Sequence, residues 1–294
     1  MMKIGFGKNT IVFGRFRSAL SRHSDSFCRH IVWLLIVFGG FISAHAQYMP
    51  EHPAYNVSRL YVSPEGNGRR NGSSWANAAD GRRLQNLLDF VTDEAGFNNS
   101  FEIWIAGGTY VPSTPRVATD AATASFVLNG VQVSIHGGFR GFDAASGYRG
   151  ETSLDDRELE TSDYGFTSYK YATLFSGDVL GNDDLGEDVN NSSMSPTINE
   201  SRADNVYNVL VFSPTCQYVT VQGITIANGS AIGLGAYSQG GGVTIDGVRS
   251  GIRDCVLFNN YAMNEGGGAY LKSATSFIAA SLIINNAVPV SNTT

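Results

Sequence analysis

The sequence predicts an all-β chain built as a parallel β-helix, a solenoid whose first coil is covered by an amphipathic helix. Three observations carry that expectation. A unit of 26 residues occurs twice near the C-terminus, its apolar runs are too short for helices, and glycine and asparagine recur at fixed places between them. Gly240-Gly241-Gly242-Val243-Thr244-Ile245 precedes Asp254-Cys255-Val256-Leu257-Phe258-Asn259-Asn260. In the second copy Gly266-Gly267-Gly268-Ala269-Tyr270-Leu271 precedes Ala280-Ser281-Leu282-Ile283-Ile284-Asn285-Asn286, with Ile278 standing where Ile252 stood. A period of this length marks a stacked repeat. Within it the apolar residues show no helical spacing, only short β segments punctuated by turn formers.

Each unit holds about three apolar runs: Val243–Ile245, residues 251–252 and residues 255–258 in the first copy. A strand rises roughly 3.3 Å per residue and pairs with a neighbour about 4.8 Å away. Twenty-six residues therefore fill three strands of four to five residues and three turns, one coil. The glycine triplets are expected to stack at one corner, where a positive φ or close backbone approach excludes a Cβ. The asparagine pairs are expected to form a ladder of amides from coil to coil; which member points inward is open in the sequence. Residues 219–229 match the second half of the unit, with Asn228 standing 32 residues before Asn260. The six additional residues fit within 230–239, read as a loop bulging from one corner, either a long turn or part of a working face.

Residues 1–46 read as a secretory signal peptide. Lys3, Lys8, Arg15, Arg17, Arg22 and Arg29 precede an apolar run at 31–43, which ends at Ala44-His45-Ala46. That run is short of the roughly 20 residues that span a bilayer as a helix, so no transmembrane span is expected after cleavage and Gln47 becomes the new N-terminus. Six of the 20 basic residues and one of the 26 acidic ones leave with the leader, giving 14 against 25 and a net charge of −11. Such a charge excludes nucleic acid and anionic membrane surfaces as partners. Cys216 and Cys255 remain, either bonded to each other or buried as free thiols.

Residues 47–112 are expected to hold the cap and first coil, and 113–294 the further coils, with a long loop insertion at 144–205. Leu84, Leu87, Leu88 and Val91 fall at i, i+3, i+4 and i+7, one apolar stripe of a helix. An uncovered terminal coil would expose unpaired strand edges, which this helix is placed to cover. Residues 102–110, Phe126–Leu128 and 131–135 read as strands. In the insertion only 172–180 reads as one.

Tyr61-Val62-Ser63, Asn71-Gly72-Ser73-Ser74-Trp75, Ile103-Trp104-Ile105-Ala106-Gly107-Gly108-Thr109-Tyr110, Gly137-Gly138-Phe139-Arg140-Gly141 and Leu174-Phe175-Ser176-Gly177-Asp178 occur in this order. On these motifs the chain resembles secreted right-handed parallel β-helix proteins of Bacteroidetes-type bacteria. Its Gly-Gly-Gly and Phe-x-x-Asn repeats are similar to those of polymorphic outer-membrane proteins. The resemblance covers residues 58–286. It implies the pectin-lyase-like fold, a right-handed parallel β-helix, and an exported protein at the outer-membrane surface or outside the cell; it implies no reaction. The chain departs from that group in having few repeats, whereas such proteins continue into further coils and a C-terminal sorting or anchoring domain. A product truncated at its C-terminus is therefore the expectation.

Glycosidases need two carboxylates at fixed separation. Asp155-Asp156 and Asp183-Asp184 are the candidates, and both lie in loop-like sequence rather than on stacked strands. His136 is followed by glycine, but no Asn-Thr-Asp or Arg-Ile-Lys element accompanies it, so it is assigned to the Gly-Gly-Phe turn. Asp246, Arg249, Arg253 and Asp254 read as solvated pairs on an outer face rather than a lyase-like cluster. The one metal site on offer is a calcium loop: Asp178, Asp183, Asp184, Glu187 and Asp188 supply oxygen ligands, with Asn182 beside them, without the spacing of an EF-hand. A solvated acidic loop is the plainer reading. Tyr164, Phe166, Tyr169 and Tyr171 are expected to cover the wall rather than stack on sugars. No residue is assigned a catalytic role. The expected function is that of a non-catalytic adhesin or surface antigen, with host or bacterial surface glycans or proteins as partners. The alternative is a polysaccharide lyase or glycoside hydrolase acting on acidic polysaccharides.

Overall fold

Short runs of β-branched and aromatic residues between glycine and asparagine turns cannot satisfy their backbone groups alone, so they pair sideways with runs from neighbouring repeats. The computed structural model describes residues 56–96, 99–161, 167–183 and 200–289, all within the unit Ala54–Thr294. The leader at 1–46 lies outside the described residues. In chain order the first segment holds β1 (Asn56–Ser63), β2 (Ala79–Asp80), the helix α1 (Leu84–Glu94), β3 (Asn99–Ala106) and β4 (Gly108–Tyr110). It continues with β5 (Pro115–Val117), β6 (Asp120–Ala124), β7 (Phe126–Leu128) and β8 (Val133–Phe139). The insertion carries β9 (Leu159–Thr161), β10 (Thr167–Tyr169) and β11 (Thr173–Ser176), and β12 (Leu210–Phe212) follows. The last part holds β13 (Thr220–Gln222), β14 (Ile224–Ala227), β15 (Ser230–Ala231), β16 (Val243–Ile245) and β17 (Gly251–Arg253). It ends with β18 (Val256–Phe258), β19 (Tyr261–Ala262), β20 (Ala269–Leu271), β21 (Phe277–Ala279) and β22 (Leu282–Ile284).

The fold is mostly β, and its three largest sheets are parallel. Their orders are β2-β1-β3-β8-β13-β17-β21, β4-β11-β14-β18-β22 and β7-β12-β16-β20. Each strand thus pairs with its counterpart in the next repeat. The registers keep apolar positions in file: Ile135, Val221, Ile252 and Ile278 in one sheet, and Leu128, Phe212, Ile245 and Leu271 in another. Up to Ile252 and Ile245 these files form one core with Ile103, Phe175, Ile226 and Leu257, and Ile278 packs against it partly buried. Full burial of each such side chain stabilises the fold by about 1.5–3 kcal/mol. Helix α1 adds Leu84, Leu88 and Val91 to the same core, as its stripe predicts. Its Gln85 donates to the Val127 carbonyl at 3.1 Å and accepts from the Val127 N–H at 2.8 Å, so the backbone of the edge strand β7 is satisfied by a side chain.

The glycine corner forms as expected. Gly240 and Gly266 take φ of 65° and 63°, and a Cβ on Gly242 would lie 2.5 Å from the carbonyl oxygen of Gly268. Both members of each asparagine pair are used. Asn228, Asn259 and Asn285 are left-handed, with φ of 65°, 59° and 53°, a conformation that asparagine tolerates better than most residues. Asn259 Nδ2 donates to Asn228 Oδ1 at 2.9 Å, and Asn285 Nδ2 to Asn259 Oδ1 at 3.5 Å. Beside this ladder runs a second. The Gly229 N–H donates to Asn260 Oδ1 at 2.9 Å, and the Asn260 N–H to Asn286 Oδ1 at 3.0 Å.

That arrangement corrects one register. Ala227 pairs with Phe258, so Asn228 stacks on Asn259, 31 residues on, and Gly229 takes the place of Asn260. Five residues are therefore inserted, not six. The expected loop at 230–239 also shrinks, because Ser230–Ala231 is a buried strand paired with Tyr261–Ala262. The exposed part centres on Leu234, 91 % accessible. Two antiparallel pairs, β5 with β6 and β9 with β10, have no counterpart in the sequence expectations. Both Leu159–Thr161 and Pro115–Val117 are exposed at every position, so no alternation of buried and exposed residues marks them. Cys216 and Cys255 are free and buried, and burial pushes their thiols up to about 11 and about 12.

Candidate functional site

The carboxylates singled out from sequence are occupied by structural work. Asp156 closes a capping box around the turn Leu154–Asp156. Its Oδ2 accepts from the N–H groups of Thr152 and Ser153, both at 2.9 Å, which holds its pKa below the usual carboxylate range. Asp155 is exposed in the same turn. Asp178 accepts from the N–H groups of Gly181, Asn182 and Asp183 at 2.7–3.1 Å. Asp183 turns away from that loop: its Oδ2 lies 3.1 Å from Arg202 Nη1 and 3.0 Å from Asn205 Nδ2, and the side chains of the ion pair are both 1 % exposed. Arg202 in turn donates to the carbonyl of Asn259 at 3.1 Å, which joins the insertion to the asparagine ladder. Asp184, Glu187 and Asp188, the rest of the expected calcium loop, lie outside the described residues. Among the described residues no group of three or more His, Cys, Asp or Glu side chains could hold a metal ion.

Asp246, Arg249, Arg253 and Asp254 do not pair with one another among the described residues. Arg249 donates to the Tyr218 hydroxyl instead, and Asp254 accepts from Gln222 Nε2 at 2.7 Å. Gln222 Oε1 lies 3.0 Å from His136 Nδ1, so a chain of three polar side chains crosses the outer face of the seven-stranded sheet. His136 is thus a strand residue, in register with Trp104 and Gln222, rather than part of a turn. Burial is the largest influence on its imidazole and lowers the pKa to about 4. A neutral ring with Nδ1 protonated fits the Gln222 oxygen. A proton NMR titration is expected to show no His136 charging between pH 8 and 5. Because the folded pKa is depressed, its contribution to stability is complete above about pH 6.5 and declines as pH falls towards 4.

The loops contribute a cleft that no single sequence segment announces. Outside the main core, Trp75, Trp104, Ala106 and Phe139 form a second cluster, flanked by Tyr61, Phe142 and Leu154. Trp104 stacks on Phe139 with centroids 4.5 Å apart and planes 13° apart. The segment after β8 is tied down across this cluster. Glu151 accepts from the N–H groups of Arg140 and Gly141 at 2.6 and 3.1 Å, and its own carbonyl accepts from Trp75 Nε1 at 3.0 Å. Gly150, at φ +91°, lets the chain pass against the Trp75 ring, where a Cβ would collide with it. The result is an open cleft of about 710 Å³ lined by Tyr61, Trp75, Phe142, Arg149 and Glu151, among others.

Aromatic faces beside a cation suit a ring-shaped or acidic ligand. Glu151, the carboxylate among the cleft's described lining residues, is buried and already accepts from two backbone N–H groups. Tyr61 and Trp75 stood in the sequence as motif residues; Phe142, Arg149 and Glu151 carried no signal, since they converge only when the loop folds back. Of the aromatic group expected to cover the wall, Tyr169 packs under Arg157 at 4.4 Å and Tyr171 lies 5.4 Å from Lys170, while Tyr164 and Phe166 lie outside the described residues. No family model matches the chain, and neither a curated protein nor a solved structure matches it.

Proposed function

We propose that this protein is a right-handed parallel β-helix of the Bacteroidetes-type secreted group, capped by α1, exported through its N-terminal leader and acting at the cell surface or beyond it as a non-catalytic binding protein of the adhesin or surface-antigen kind. Its ligands are surface glycans or proteins, held by the loops that rise from the helix wall, the cleft at Tyr61, Trp75, Phe142 and Arg149 foremost. The observation that carries the reading is the state of the carboxylates. Asp156, Asp178 and Asp183 hold loop backbone or a buried arginine, so in each candidate pair, Asp155-Asp156 and Asp183-Asp184, at least one carboxylate is committed to structure rather than to acid and base work. The stacked registers of the three parallel sheets support the β-helix. The Gln85 contact to β7 supports the cap. No described helix is long and apolar enough to cross a membrane.

Incubating the protein with pectic, alginate-like and glycosaminoglycan polymers, with and without calcium, tests the proposal. Binding without release of unsaturated or reducing ends is expected. Phe142→Ala combined with Arg149→Ala should weaken that binding about tenfold or more. Release of such ends, abolished by Arg253→Ala, would make the protein a polysaccharide-degrading enzyme instead.

A further inference from the structure

Charge is unevenly placed on this chain. Of the 14 basic residues outside the leader, four fall within one stretch of 15 residues as two Arg-Arg pairs, Arg69-Arg70 and Arg82-Arg83, and Asp80 is the one acid between them. Four against one leaves +3 there, on a chain that carries −11 outside its leader. The fold brings the pairs together. Arg82 Nη2 and Nε lie 2.7 and 2.9 Å from the two Asp80 oxygens, and Arg70 Nη1 lies 3.8 Å from the same carboxylate. Asp80 thus answers two guanidiniums at once, and both of those side chains stay more than half exposed. Arg69 and Arg83 are exposed, and neither side chain has a hydrogen bond or ion pair among the described residues.

This basic face adjoins the cleft. The Asn67 N–H donates to the Ala78 carbonyl at 2.9 Å and the Arg69 N–H to Asn77 Oδ1 at 3.1 Å, so Arg69 stands on the short turn Trp75–Asn77. Trp75 and Ala76 of that turn line the cleft, where Arg149 is likewise exposed and unpaired among the described residues. The arginines do not serve the helix that follows them. Arg83 is the N-cap residue of α1, its side chain bonds none of the helix N–H groups, and the first turn carries no acid. Helix N-termini favour Asp or Ser and disfavour cations, because free N–H groups and the helix dipole already make them positive. The positive charge here therefore weakens the element it precedes.

We infer that the face formed by Arg69, Arg70, Arg82 and Arg83 binds the acidic groups, carboxylate or sulfate, of a glycan chain that continues into the adjoining cleft at Arg149. This rests on the glycan-binding reading above and names its ligand as an acidic glycan. Guanidinium forks match both kinds of group with two parallel hydrogen bonds. Exposed charges more than about 8 Å apart are largely screened in physiological salt, so the acidic remainder of the surface does not cancel a local patch. A nucleic acid fits less well. Its phosphates are densely spaced and continue past the patch onto that acidic remainder, whereas a glycan with one or two acidic groups per sugar spreads its charge more thinly.

Binding of the protein to heparin, polygalacturonate, neutral dextran and single-stranded DNA tests this. At least one of the two acidic glycans should bind, dextran and DNA should not, and the better acidic polymer shows whether sulfate or carboxylate is the group recognised. Arg69→Ala combined with Arg83→Ala should weaken binding about tenfold, and added salt should weaken it steeply. Arg249→Ala combined with Lys272→Ala removes the same charge from exposed sites in the last two repeats and should change binding less than about twofold. Arg83→Asp separates binding from folding: the thermal midpoint should rise by about 1–3 °C while binding falls. Equal losses in the two double variants, or DNA bound as well as the glycans, would overturn the inference, since net charge alone would then be at work. If Phe142→Ala with Arg149→Ala weakens binding and the Arg69 and Arg83 changes do not, the basic face falls and the cleft reading stands. If no glycan binds, both fall.

Discussion

Gly241→Val is expected to cost about 3 kcal/mol, the upper range for forcing extra methyl groups into a packed site. A Cβ at Gly241 would collide with the carbonyl of Tyr261 and lie 2.8 Å from that of Gly267. Both obstacles are backbone, so neither can turn aside, and relief requires the repeats to separate. Gly267→Val meets the Ala287 carbonyl in the same way. A proper control is Leu234→Ser, because that side chain is almost fully exposed and should change stability by less than about 0.5 kcal/mol. Ser230, although placed by sequence in a projecting loop, is buried and would not serve. Thermal or urea unfolding of the three variants decides the matter, and equal losses at all sites would contradict the corner packing.

The second large effect is expected at Arg202. Replacing it with methionine keeps most of the buried volume but leaves the Asp183 carboxylate unpaired at a site where its side chain is 1 % exposed. Removing one partner of a buried ion pair typically costs about 3–5 kcal/mol. The pH dependence follows from the direction of the Asp183 shift. Burial already raises its pKa in the folded protein, with Arg202 opposing that rise. Without Arg202 the folded pKa climbs further, so the penalty is absent where the carboxyl is protonated in both states and grows as pH rises through the folded value. Arg202→Met should therefore lose most stability at neutral pH and recover part of it in mild acid. Adding Asp183→Asn should restore much of the loss at neutral pH. A loss independent of pH would place the effect in packing rather than in charge.

Much of the β architecture is legible in the chain because a strict repeat carries it. The glycine triplets, Ile252 over Ile278 and the Asn-Asn pairs recur at one interval, and stacked pairing turns that interval directly into register. Helix α1 is equally legible, since its stripe obeys the 3.6-residue period over three turns. The repeat at 219–229 is less legible, because Gly229 stands where the later copies have an asparagine and only the pairing of Ala227 with Phe258 reveals the 31-residue step. The exposed hairpins and the cleft were not legible. Leu159–Thr161 buries nothing and so leaves no pattern, while Tyr61, Trp75, Phe142 and Arg149 come from separate segments brought together by Glu151 holding the N–H groups of Arg140 and Gly141. The partner of Asp183 was hidden for the same reason. Its carboxylate read as one of an acidic run, and only the tertiary fold carries it inward to Arg202 beside the ladder. Local sequence determined what repeats, because identical neighbours impose identical contacts; the tertiary structure decided what converges, because convergence depends on where a loop comes to rest.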